Sequence, residues 1–161
     1  MITVKVLEPD EQCSYREIDY RDQNGKLIHF ILVDEDNRIF KSYLYEHRED
    51  GKTNSIALFG PDHITPLGVK EFHYDHLGRR SETIEYEISN GEKIQLNKLK
   101  FYCEGDTERC YKTVTYGRTE EPVYYTLYTY DEAGIAPIGT YNMNDEAVRK
   151  LEIDKEIERI F

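Results

Sequence analysis

The densest group of side chains able to do chemistry is His73-Tyr74-Asp75-His76. On a strand, His73 and Asp75 share one face, so two metal ligands would stand together, with His63 upstream as a third. The spacing His-x-Asp-His matches no zinc motif, and Asp75 and His76 fall at turn positions. The expected role is a hydrogen-bonded turn, with no metal and no cofactor. Acid pairs are plentiful: Glu85 and Glu87 on one strand face, Asp34-Glu35-Asp36 in a turn, Glu120-Glu121 before Pro122. A glycosidase pair needs two carboxylates roughly 5–10 Å apart across a cleft. A solvated acidic face is the commoner use of such residues. The chain carries no Ser nucleophile elbow, phosphate loop, Cys-x-x-Cys pair or dinucleotide fingerprint, so the expectation is a non-enzymatic protein. The longest irregular stretch, Gly60 to Gly68, is either a functional loop or a wide connection.

Tyrosine is the second resource. Fourteen Tyr and no Trp is a skewed aromatic choice. Tyr suits half-buried sheet positions, because its ring packs while its hydroxyl reaches water or a partner. Tyr43, Tyr45, Tyr74, Tyr86, Tyr124, Tyr125, Tyr128 and Tyr130 could form an aromatic face for a protein partner or for sugar stacking. Cross-strand packing is the alternative use. The net charge of −11 disfavours nucleic acid and anionic membrane; its commoner use is solubility, and it still allows a basic partner. The candidate binding residues are Tyr43, Tyr45, Glu85, Tyr86, Glu87, Tyr124 and Tyr128.

These side chains need elements to hold them. A turn signal returns roughly every 13 residues, at Asn24-Gly25, Asp36-Asn37, Asp50-Gly51, Leu77-Gly78, Asn90-Gly91, Gly105-Asp106 and Tyr116-Gly117. One step is double length, from Gly51 to Gly78, with Gly60-Pro61-Asp62 near its middle. Between the turns lie runs rich in Tyr, Ile, Val and Thr. Strands are expected near 2–7, 15–21, 27–33, 38–47, 53–59, 67–74, 79–88, 92–103, 109–116 and 122–130. Ile84-Glu85-Tyr86-Glu87-Ile88 alternates as a sheet with one wet side does, whereas Leu27 to Val33 is apolar on both faces and reads as a central strand or one covered by another element. The phase change at Asn97-Lys98 predicts a β-bulge. Asn144-Asp145-Glu146 reads as a helix start, and the run to Phe161 as a helix broken near Leu151–Asp154. The expected architecture is a single mainly-β domain, 1–161. It is an antiparallel up-and-down meander of about nine or ten strands, open or closed into a barrel, with a C-terminal helix near 144–160.

The first ten residues alternate like a strand and lack the apolar core of a signal peptide, and no stretch approaches a membrane span. The expected location is therefore cytoplasmic. Three cysteines, an odd number, argue against a disulfide framework. Cys103 and Cys110 flank the turn 104–109 and could face each other across a hairpin. Reduced thiols are the usual state in a reducing compartment.

Phe72-His73-Tyr74-Asp75-His76-Leu77-Gly78-Arg79-Arg80 carries a Tyr-Asp-x-x-Gly-Arg unit and resembles the YD repeats of RHS-type proteins. Tyr128-Thr129-Tyr130-Asp131-Glu132-Ala133-Gly134 resembles a second start, with Ile135 where a basic or polar residue is expected. Arg21 to Leu27 and Val33 to Ile39 are weaker relatives. The resemblance implies β-hairpin sheets of structural type, as in shells around toxin domains or cell-surface stalks, and brings no catalytic residues. Three functional expectations stand beside one another. The first is a protein-binding module, such as an acidic inhibitor or immunity protein neutralising a basic toxin. The second is a ligand-binding barrel or enzyme with a Tyr-lined cavity. The third is a structural fragment of an RHS-like system.

Overall fold

A computed structural model describes residues 2–6, 16–131 and 134–148. It contains eleven strands: β1 (Ile2–Val6), β2 (Arg16–Arg21), β3 (Leu27–Val33), β4 (Ile39–His47), β5 (Thr53–Phe59), β6 (Pro66–Tyr74), β7 (Arg80–Ser89), β8 (Glu92–Cys103), β9 (Cys110–Tyr116), β10 (Pro122–Asp131) and β11 (Gly134–Asn142). They follow one another in sequence order in a single antiparallel sheet, from β1 at one end to β11 at the other. Among the described residues the order is that of an open meander, with no pairing of β1 to β11.

The turns explain this order. Asp22–Lys26, Asp34–Arg38, Arg48–Lys52, Asp75–Arg79 and Asn142–Glu146 share one geometry. The first residue's N–H donates to the fifth residue's carbonyl, and the fourth residue's N–H donates to the first residue's carbonyl, all at 2.8–3.1 Å. The fourth residue has positive φ in each: Gly25, Asn37, Gly51, Gly78 and Asp145. This is the three-residue hairpin loop with a left-handed fourth position, and it fixes the register of the strands it joins. In three copies an Asp opens the turn, and its Oδ1 accepts from the N–H groups two and four residues on. Asn142 does the same with its amide oxygen.

That last turn corrects the expectation of a helix beginning at Asn144. Asn144 and Asp145 lie inside a hairpin turn, Val148 donates to the carbonyl of Thr140 at 2.8 Å, and Tyr141 bridges Ala147. Asn142 Oδ1 captures the Glu146 N–H, one of the groups that an N-cap at Asn144 would have needed, and Asp145 sits at φ 64°, outside helical space. The remainder of the expected helix, with its break near Leu151–Asp154, lies outside the described residues. No helix among the described residues is long and apolar enough to cross a membrane.

β11 was not among the expected strands. It contains Pro137, which cannot donate to a ladder. Its ladder with β10 shifts register between Leu127 and Tyr128, next to the Tyr128–Pro137 pair. On the β9 side, β8 stays in register from Lys98–Tyr116 to Tyr102–Lys112, and the shift falls at Tyr102/Cys103.

The chain groups into two compact units, Met1–Phe72 with Glu85–Ile94, and His73–Ile84 with Gln95–Phe161. Among the described residues, the first unit buries Ile31, Val33, Leu58 and Phe72, together with Ser42 and Glu85. β3 supplies two of these, Ile31 and Val33, from one of its faces, while Ile28 on the other is exposed. In the second unit Val114 is buried, and its buried neighbours in that unit are polar: Thr83, Lys98 and Thr113. Such thin apolar burial goes with a chain whose hydrophobic content is 39%.

Candidate functional site

Strand alternation and register assemble one tyrosine face in the first unit. Asp19, Phe30, Tyr43, Leu58 and Gly68 form one cross-strand row from β2 to β6. Tyr45, Ile56 and Lys70 form the next on the same face. The Phe30 and Tyr43 rings lie 5.8 Å apart and tilted by 46°. Lys70 Nζ meets a Glu85 carboxylate oxygen at 2.6 Å, which puts Glu85, and by alternation Glu87, on this face as well. Arg21 bonds Asp19 at 2.9 Å. Burial raises the Tyr43 phenol above its ordinary value. Burial, and then the neighbouring Tyr43 and Asp19, raise that of Tyr45. Both rings therefore present neutral hydroxyls.

Four of the seven candidate residues thus share one face: Tyr43 and Tyr45 on β4, and Glu85 and Glu87 three strands along on β7. Glu85 is buried in its ion pair, so it shapes the face from below, whereas Glu87 is exposed. Tyr86 points to the opposite face, where Lys93 sits over its ring at 5.3 Å and also bonds Glu71. Tyr124 and Tyr128 belong to the second unit. There the Tyr128 hydroxyl is 3.2 Å from Thr113 Oγ1, and Thr126 and Thr140 hydroxyls are 2.9 Å apart on the same face.

The opposite face of the first unit holds a cluster that strand patterns did not show. Tyr20 stacks on His29 at 5.6 Å, and His29 meets His63 edge-on at 6.5 Å. His63 comes from the loop after β5 with φ 55°, and its Nδ1 is 2.8 Å from Ser42 Oγ. Its Nε2 is buried with no hydrogen-bond partner. Burial, and then the nearby His63, lower the His29 pKa. This is a serine–histidine contact, but Ser42 is 1% exposed, so no substrate carbonyl reaches its oxygen. The sequence signal was a lone His in the apolar run of β3. Its partner came from an irregular loop whose path no periodicity predicts.

Asp75 is not left free to serve with His73 as a metal ligand. The Asp75 carboxylate is committed to its turn and to Arg79, whose guanidinium it accepts at 2.7 Å. Among the described residues no group of three or more His, Cys, Asp or Glu is placed to hold a metal. A depression of about 560 Å³ is lined by His47, Arg48, Glu49, Asp50 and Asn54. It lies at the β4–β5 turn and carries no tyrosine.

The second unit has a face of its own that sequence reading missed. Lys98 and Lys100 lie over the Tyr116 ring at 4.8 and 5.6 Å, and Lys112 over Tyr125 at 4.6 Å. Tyr125 stacks on Tyr141 at 5.4 Å. Glu120 and Glu82 pair with Lys98 and Lys100. The signal for this pattern is the alternation of Lys98 and Lys100 in β8 opposite Tyr116 in β9.

No family model matches the chain, and no curated protein matches it. Among solved structures, a DUF3836 family protein from Parabacteroides distasonis is similar over 65% of this chain and 93% of its own, at 16% identity and a TM-score of 0.35. A likeness of that strength carries no argument about this chain.

Proposed function

We propose that the chain is a non-enzymatic protein-binding module whose first-unit tyrosine face docks a basic protein. The observation that carries this reading is one face of the first unit that holds Phe30, Tyr43 and Tyr45 together with Asp19, Glu85 and Glu87. Tyr is a frequent anchor residue at interfaces, because its ring buries area at low entropy while its hydroxyl bonds. The local carboxylates are partly balanced by Arg21 and Lys70. The chain's charge of −11 therefore acts mainly at long range, speeding encounter with a positive partner. The most specific form of the reading is a cytoplasmic inhibitor or immunity protein that covers a basic toxin.

The test is capture from the native host at low and at raised salt. Wild-type protein should retain a basic protein and release it as salt rises. Tyr45→Ala should weaken that complex by about 2 kcal/mol, near 30-fold in Kd. Glu87→Lys should slow association while leaving the circular dichroism of the module unchanged. Capture that ignores salt and both substitutions would sink the reading.

A second reading rests on a different observation. One Asp- or Asn-capped turn recurs along the chain, and that favours a structural role as part of an RHS-like β-sheet system. Release of the module by proteolysis from a larger RHS-type polypeptide in the host would favour it. Isolation only as a separate chain bound to a basic partner would count against it.

A further inference from the structure

We propose that Cys103 and Cys110 form a redox-active pair that closes into a disulfide across the β8–β9 hairpin. The two residues are cross-strand partners. Paired residues on antiparallel strands hold their Cα atoms about 4.5–5.5 Å apart, within the range a disulfide spans. Their sulfurs are 2.7 Å apart, and both are free thiols.

The loop between them is already fixed. Glu104 N–H donates to the Arg109 carbonyl at 2.9 Å, and Thr107 N–H to the Glu104 carbonyl at 3.0 Å. Arg79 reaches over from its own turn and donates to the carbonyls of Gly105 and Thr107 at 2.6 and 2.8 Å. Tyr130 closes the other side, its hydroxyl donating to the Cys110 carbonyl at 3.0 Å. Closure therefore draws two neighbouring sulfurs together in a hairpin whose turn is already hydrogen-bonded. Both cysteines are half-buried, open to a small oxidant.

Burial, and then the contact with Cys103, push the Cys110 thiol up to about 12, so it holds its proton at neutral pH. One cysteine sulfur attacks a small-molecule disulfide such as oxidised glutathione, gives up its proton, and one glutathione leaves. The other cysteine sulfur then attacks the resulting mixed disulfide, gives up its proton and expels the second glutathione. Two protons and two electrons pass from the protein to glutathione disulfide, which leaves as two thiols.

The full chain is incubated with oxidised glutathione, alkylated and cut with trypsin. Cleavage after Lys100, Arg109 and Lys112 gives peptides 101–109 and 110–112. The expected product is these two joined by a disulfide. The oxidised chain should melt several degrees above the same chain with reductant. Cys103→Ser and Cys110→Ser should abolish the shift, and Cys13→Ser should keep it. If a serine variant does not fold, the wild-type melt with and without reductant decides alone. Recovery of Cys103 and Cys110 both alkylated, a bridge that instead contains Cys13, or a melt that ignores redox state would each overturn the proposal.

Discussion

A single carboxylate oxygen, Asp22 Oδ1, accepts from two backbone N–H groups, those of Asn24 and Lys26, at 2.8 and 2.9 Å. The Lys26 N–H bond is the largest influence on that carboxyl. With the Asn24 bond, and against some desolvation, it holds the Asp22 pKa below the ordinary 3.8. A folded pKa below the unfolded one means that the contribution is complete above about pH 4 and fades as pH falls through the folded value. Asp22→Asn should retain the turn, as Asn142 shows, and flatten the acid limb of the stability profile. Asp22→Ala should lower Tm at neutral pH as well. Acid titration followed by circular dichroism separates the two. His29 runs the other way in charge but not in direction. Its lowered pKa makes the folded state resist protonation, so stability should fall as pH drops below about 6.5. His29→Gln should remove that slope; a slope unchanged in the variant would reassign it. Gly25 isolates the backbone term, since a Cβ there meets nothing within 4 Å while φ is +80°. Gly25→Ala should cost about 1 kcal/mol in denaturant unfolding.

At the scale of elements, the turns were legible because each one is written in contiguous residues. Asp, then a left-handed Gly or Asn, then a basic residue specify the geometry almost without help from the rest of the chain. The same locality explains the error at the C-terminus. Asn144-Asp145-Glu146 reads equally as a helix start or as the inside of a hairpin turn, and Asn142 decides between them. β11 was hidden by Pro137, and the His29–Ser42–His63 cluster by its dependence on a loop. Tyr43, Tyr45, Glu85 and Glu87 were legible as pairs on their own strands. That the two pairs share a face follows from register across β4 to β7, which no single strand encodes. Close strand approach is likewise invisible in sequence: a Cβ on Gly68 would meet the Tyr86 carbonyl at 2.9 Å. Backbone cannot step aside as a side chain does, so Gly68→Ala should destabilise by about 1–3 kcal/mol, more than Gly25→Ala. Equal losses in the two variants would show that the strands part freely.

For the molecule as a whole, burial is uneven. The first unit is built on Ile31, Val33, Leu58 and Phe72, whereas Val114 is the one buried hydrophobic residue described in the second. The second unit relies more on polar and ring contacts: the Thr126–Thr140 hydroxyl pair, the Tyr125–Tyr141 stack and lysines laid over tyrosines. Polar and ring contacts of this kind contribute tenths of a kcal/mol to about 1 kcal/mol each, less than a buried aliphatic side chain. Local opening should therefore be easier in the second unit. In reductant, amides of β9 should exchange with solvent about tenfold or more faster than amides of β3. The Cys103–Cys110 bridge would act where that burial is thinnest. A crosslink closing a short loop is worth about 2 kcal/mol, near 30-fold in the opening equilibrium. Oxidation should thus slow exchange in β8 and β9 by that order and leave β3 unchanged. Peptide-resolved hydrogen exchange on reduced and oxidised protein reads both effects at once. Uniform slowing across the chain would mean that the units open together, and the local account of stability would fail.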